Sequence, residues 1–432
     1  MDGRSAPGAE WFSHEAEVIW DVRREAPEVF AQLPDADRAW FEAWCGERET
    51  SLPVAQTYRP FGGEQFYRPL GHSRSLYHVI EGTPGHNVCL KGTESLSPDV
   101  AEELAQAPQR DMYSLYTNQL EWWLRVEQKA PFAYTVKEGL EEAKLAAAFQ
   151  ADYAARYGSL AKFPVPIRVY RLPKAAEERY RDTLLAQCTP QIRDLAEFVL
   201  SSGLAVYVYC YQGSIARLPS LIQPTAGARG GYRGRVMALQ HLGMLNGVDL
   251  ERTFDGWLQL AVRMLALGYL PTAYAQDFTG QSVRWVNCYL DGGFADPDSV
   301  RKIAEVRSEQ DFYQSFWFLV QELASDVAIG LCGWMQFSNG FWSGEFYPGT
   351  PYALAASTSI VWDGLRKHFA AEQSAGASFD PRLSQLFDEG LSVFARLDRV
   401  FDSVFPPQSQ YRPPTVGDII RGTGTHLIMP TP

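Results

Sequence analysis

The sequence predicts an α+β chain of two lobes, a β-rich lobe followed by a larger, mainly helical one. Three observations predict it. Short apolar segments punctuated by glycine, proline and serine crowd residues 65–211. One long amphipathic helix, Val136 to Tyr157, is inserted among them. From Phe254 onward apolar residues recur at helical spacing, interrupted by one small hairpin. With 432 residues and 46% hydrophobic content, the chain can bury a large core or two domains.

Taken in order, residues 1–60 read as a helical N-terminal extension, with Trp11, Phe12, Val18, Ile19, Phe30, Trp40, Phe41 and Trp44 at helical spacing. Residues 61–212 form the β-rich lobe with inserted helices. Phe66–Leu70, Leu76–Glu81 and Asn87–Leu90 make a three-stranded meander that ends at Lys91. Val165–Tyr170 and Leu204–Tyr211 are further strands, the second so apolar that it belongs in the centre of a sheet. Residues 213–405 form the helical lobe. A Gly- and Arg-rich loop (Gln212 to Gly234) precedes a helix at Phe254–Leu267. A strand returns at Ser282–Leu290, long helix is expected over Val300–Leu331, and a Gly- and aromatic-rich loop (Gly333 to Pro351) leads into more helix up to about Arg399. Residues 406–432 are an irregular, proline-rich tail.

Composition excludes several functions. A formal charge of −12 argues against nucleic acid, which calls for a basic stripe. Met1 to Glu15 lacks a basic region followed by an apolar core, so no signal peptide is expected. No apolar run reaches the ~18 residues of a spanning helix, so no membrane partner is expected either. The six cysteines are scattered without a C-x-x-C pair, which points to a reducing cytoplasm rather than a disulfide framework or zinc knuckle. Gly227 to Gly234 lacks the GK[ST] of a Walker loop, the seven histidines show no metal-ligand spacing, and no G-x-S-x-G elbow occurs.

Three stretches carry the candidate chemistry. ATP chemistry needs a cation for the phosphates, a carboxylate to fix that cation, and oxygen ligands for Mg2+. Leu90-Lys91-Gly92-Thr93 offers a lysine at a strand end, with Arg74 in the nearby Gly71–Ser75 turn as a further phosphate contact. Thr135 to Leu140 opens the long helix with Glu138; Glu142 follows one turn later on the same face, and one of the two is the partner of Lys91. Thr279 to Asp296 ends a strand in Asp291-Gly292-Gly293-Phe294. Asp291 is the anionic metal ligand, and Gln281 and Asn287 supply amide oxygens, with Val286-Asn287 as a hairpin tip. Asp277 stands where it can accept a proton from an attacking hydroxyl. Each has a simpler reading beside it: a solvated strand-end lysine, acidic residues favouring a helix dipole, and an Asp-Gly turn.

The order of these islands resembles the selenoprotein O family within the wider protein-kinase-like fold. LKGT resembles its ATP-lysine motif, TVKEGL its helix motif, and the Gln281 to Phe294 segment its metal motif. The resemblance implies a small β-rich N-lobe, a larger helical C-lobe with a catalytic hairpin, and ATP and Mg2+ as cofactors. Lys91 then matches the ATP lysine, Glu138 its helix partner, Asp291 the metal aspartate and Gln281 the metal asparagine. It implies nucleotidyl- or phosphotransfer (AMPylation or phosphorylation) to a small-molecule, peptide or protein acceptor. The alternatives are a nucleotide-binding pseudokinase scaffold or an ATP-driven ligase. The sequence departs from the family at Ala275-Gln276-Asp277-Phe278-Thr279-Gly280-Gln281, where the family's His-Gly and Thr-Asp-Asn run is missing. The reading expects Lys91 and Asp291 to face one inter-lobe crevice.

Overall fold

A computed structural model describes residues 11–55, 66–67, 75–79, 86–96, 124, 129–131, 133–215, 250–271, 288–295, 297, 300–306, 308–309, 312–313, 315–316, 319–320, 323 and 351–389. Mixed α and β structure is present, and the chain divides into two compact units. Unit 1 is Met1–Ala216 with Gln223–Asn246, and unit 2 is Arg217–Ile222 with Gly247–Pro432.

Unit 1 is built on a six-stranded antiparallel sheet in the order β2-β7-β8-β6-β5-β4. Its strands are β2 (Glu17–Asp21), β4 (Phe66–Tyr67), β5 (Ser75–Val79), β6 (His86–Lys91), β7 (Val165–Arg171) and β8 (Ala205–Gln212). β8 is central, as its composition predicts. Alternating valines and tyrosines give it a filled face on each side, and Ala205 to Tyr211 are all 0% exposed. Tyr207, Tyr209 and Tyr211 share one face, and the register sets Lys91 opposite Tyr207 and Cys89 opposite Tyr209. Tyr77 of β5 joins that face through a 3.0 Å hydroxyl contact with Tyr209.

The helix over Val136–Tyr157 runs between the sequence-predicted ends. Gly158, at φ 73°, closes it in the left-handed conformation. Its Gly139 lets the sheet approach closely: a Cβ there would stand 3.0 Å from Val169 Cγ1.

The helical expectation for the N-terminal extension holds within Val22–Glu47 and is corrected on either side of it. β1 (Trp11–Glu15) pairs with β3 (Ser51–Ala55), and β2 forms the edge of the main sheet against β7. Val18, Ile19 and Trp20 are β-branched or aromatic, and strand pairing overrides their helix-like spacing. Helices α1 (Val22–Glu25), α2 (Pro27–Ala31) and α3 (Asp35–Glu47) follow. Arg168, 0% exposed, ties this extension to the sheet. Its guanidinium donates to Asp21 Oδ2 at 2.6 Å, Glu49 Oε1 at 2.7 Å and the Cys45 carbonyl at 2.9 Å. Burial pushes the Asp21 carboxyl up, but hydrogen bonds from Arg23 and Arg168 outweigh it and hold the group below the ordinary carboxylate range.

With the long helix counted as α4, two further helices, α5 (Lys174–Gln187) and α6 (Pro190–Leu200), stand between β7 and β8. Each buries a narrow stripe, Ala176, Tyr180 and Leu184 in one and Ile192, Ala196 and Val199 in the other.

Unit 2 contains α7 (Leu250–Ala266), α8 (Pro351–Ser374) and α9 (Pro381–Glu389). α7 packs on α8 where Gly364 makes room for Leu258 and where Arg263 meets Glu372 at 3.2 Å. Val300–Lys302, expected to be helical, is strand β10, paired antiparallel with β9 (Tyr269–Pro271) and followed by a 3-10 turn at Ile303–Glu305. Pairing with a distant strand decides a segment too short to nucleate helix. The loop over 333–350 and the tail from 406 lie outside the described residues. Among the described residues, no helix is long and apolar enough to cross a membrane.

Candidate functional site

In unit 1 the last residue of β6 and the second turn of α4 meet. Lys91 is 5% exposed and Glu142 is 3% exposed. Lys91 Nζ lies 3.1 Å from Glu142 Oε2 and 3.3 Å from Oε1. It also donates to the Tyr134 hydroxyl at 3.2 Å and stands 5.0 Å from the centre of that ring, a cation–π distance. The Tyr134 ring stacks on Tyr207 at 6.4 Å, and its carbonyl accepts from Ala205 N at 2.7 Å, so β8 holds the tyrosine in place. Gly92 explains why the chain can leave β6 here. It sits at φ 99°, and a Cβ would fall 2.6 Å from both the Ala205 carbonyl and Tyr134 Cβ.

The partner of Lys91 is Glu142 rather than Glu138, and the assignment of Glu138 is corrected accordingly. Glu138 closes a capping box: its carboxylate accepts from Thr135 N at 2.9 Å and Thr135 Oγ1 at 2.8 Å, while Thr135 Oγ1 accepts from Glu138 N. One turn further along the same face, Glu142 reaches the lysine. The sequence carries a signal for this in the Thr-x-x-Glu spacing of Thr135 and Glu138. Tyr134 is the residue that sequence reasoning missed; nothing in its position distinguishes it among 21 tyrosines.

In unit 2, Asp291 stands at a chain reversal. Cys288 bridges to Phe294, Tyr289 N donates to the Gly293 carbonyl at 2.8 Å, and Gly292 N donates to the Tyr289 carbonyl at 3.1 Å. Gly292 adopts φ 93°, and Gly293 N donates to Asp291 Oδ1 at 3.3 Å, an Asx turn. The turn lies on α7. Thr253 Oγ1 donates to the Leu290 carbonyl at 2.5 Å and Trp257 Nε1 to the Tyr289 carbonyl at 2.7 Å. Asp291 is half-buried, with its Oδ2 shielded from solvent; a carboxylate is a hard oxygen donor of the kind Mg2+ takes, commonly one or two such groups together with phosphate oxygens. Among the described residues, no group of three or more His, Cys, Asp or Glu side chains converges as a metal cage. Arg74, Asp277, Gln281 and Asn287 lie outside the described residues.

No protein-family model matches the chain, and the comparison with curated proteins finds no match.

Proposed function

We propose that this chain is an ATP- and Mg2+-dependent transferase of the two-lobed, protein-kinase-like fold, moving AMP or phosphate to a small-molecule, peptide or protein acceptor. One observation carries the reading: the ion pair between strand-end Lys91 and Glu142 of the long helix over Val136–Tyr157, 3.1 Å apart. Protein kinases hold ATP phosphates with a strand-borne lysine that is itself paired to a glutamate on the following helix. Here the order of strand, lysine, helix and glutamate is the same, and both side chains are buried. Apolar side chains of similar volume stabilise a core as well as a buried ion pair does, which favours a functional reason for this one.

On this reading Lys91 holds phosphate oxygens and Glu142 keeps its ammonium in one place. Asp291 would ligate Mg2+, which when bound neutralises charge on the phosphates. Catalysis then comes mostly from positioning and charge neutralisation. The five cysteines among the described residues are buried thiols, which agrees with a cytoplasmic setting.

Thermal shift with ATP, with and without Mg2+, followed by a transfer assay with labelled ATP, tests the reading. ATP should raise the melting temperature, and more so with Mg2+. Lys91→Met should remove the whole effect, and Asp291→Ala the Mg2+-dependent part together with transfer. Absence of any ATP effect on the native protein overturns the reading. A second reading, a nucleotide-binding pseudokinase scaffold, is favoured by Ala275–Gln281, which lacks the family's catalytic run. ATP binding without transfer to a broad acceptor panel would select it.

A further inference from the structure

We propose that Gly256, inside α7, is a positioning residue for Asp291, and that the Thr253–Gly256–Trp257 face is the cradle that sets where the carboxylate stands. The inference rests on the reading of Asp291 as a metal ligand.

α7 spans Leu250–Ala266, so Gly256 lies well within it, where glycine is the poorest helix former short of proline. Positions 253, 256 and 257 share one face of a helix. All three meet the Asp291 turn: Thr253 binds the Leu290 carbonyl, Trp257 binds the Tyr289 carbonyl, and Gly256 meets Gly292. A Cβ on Gly256 would stand 3.0 Å from Gly292 Cα and 3.5 Å from its carbonyl oxygen. The relation is mutual, since a Cβ on Gly292 would stand 3.2 Å from Gly256 Cα. Two glycines therefore meet backbone to backbone, with the turn pinned by a side chain on either side of the contact.

A methyl group at position 256 has no flexible side chain to push aside. The atoms it meets belong to the Gly292 backbone, which cannot rotate away. The helix is held on its other side too, because Asp255 binds Lys367 at 2.8 Å and His368 at 2.9 Å. The turn must give, by a few tenths of an ångström. Asp291 precedes Gly292 directly, and its Oδ1 accepts from Gly293 N, so the displacement passes to the carboxylate. Mg2+ demands near-ideal octahedral geometry, whereas Ca2+ accepts irregular coordination, so the loss falls first on Mg2+.

The test uses the full chain and follows melting temperature while Mg2+ or Ca2+ is titrated in the presence of ATP. In Gly256→Ala the Mg2+ concentration for half of the metal-dependent shift should rise about tenfold, the size expected when a group that orients a ligand is disturbed. The Ca2+ midpoint should move by less than about threefold, and ATP without divalent metal should act as on the native protein. Thr253→Val, which removes a tether without adding bulk, should move the Mg2+ midpoint in the same direction by about threefold, and it decides the matter if Gly256→Ala does not fold. A native Mg2+ midpoint in Gly256→Ala, with the metal effect abolished in Asp291→Ala, overturns the cradle and leaves the metal reading standing. A native protein without any metal effect, or an Asp291→Ala variant that keeps it, overturns the metal reading itself.

Discussion

Replacing Glu142 by alanine leaves the Lys91 ammonium, 5% exposed, without its carboxylate. Breaking a buried ion pair by removing one partner costs about 3–5 kcal/mol, because the remaining charge is stranded. Tyr134 remains, with its hydroxyl at 3.2 Å and its ring at 5.0 Å, and a desolvated cation–π contact is worth about 2 kcal/mol. The expected loss is therefore near the lower end, about 3 kcal/mol. For a unit of this size that lowers the melting temperature by roughly 6–12 °C. Glu138→Ala instead removes one half of a capping box, a loss of about 0.5–2 kcal/mol. Both variants are melted by scanning calorimetry with and without ATP. Glu142→Ala should lose the ATP-dependent shift, and Glu138→Ala should keep it. The double variant Lys91→Met with Glu142→Leu separates stability from function, because an apolar replacement of a buried pair is neutral or stabilising. It should melt near the native temperature and ignore ATP. Equal melting of the two single variants, or a double variant that still responds to ATP, refutes the reasoning.

Further outcomes follow from the same geometry. Gly92→Ala combines a left-handed φ with overlap on the Ala205 carbonyl and should cost about 2–5 kcal/mol by denaturant titration. Gly158→Ala, also left-handed but with open space around the Cβ, should cost only about 1–2 kcal/mol. Arg168→Ala takes from Asp21, 2% exposed, one of its two guanidinium partners while Arg23 stays at 2.7 Å, and should lower stability by about 3 kcal/mol, the lower end for breaking a buried ion pair, in the same assay. Asp21 has its folded-state pKa below the ordinary value of 3.8, so its contribution is complete above that unfolded value and is lost as pH falls from there through the lower, folded-state pKa. Denaturation midpoints measured from pH 7 down to pH 3 should fall, and Asp21→Asn should flatten that acid limb.

What the sequence made legible was local. The helix over Val136–Tyr157 announces itself by periodicity, a Thr-x-x-Glu start and a glycine stop, and all three act within a few residues. β8 is legible because a strand buried on both faces has to be apolar throughout. Lys91 as a strand end and Asp291 at a reversal were legible for the same reason. What stayed hidden depends on distant partners. β2 is a strand because β7 lies beside it, and β10 because β9 does. Arg168 draws its meaning from Asp21, Cys45 and Glu49, more than a hundred residues earlier. The choice between Glu138 and Glu142 turned on which carboxylate the helix start had already claimed.

The main sheet borrows its outermost strand from the segment that precedes the meander. A shortened protein starting at Val22 would bare the free rim of β7, where backbone donors and acceptors now answer those of Glu17–Asp21. Such a rim is a template for another chain, so the shortened protein should self-associate as well as soften. Strand β2 therefore acts as a shield for the sheet behind it.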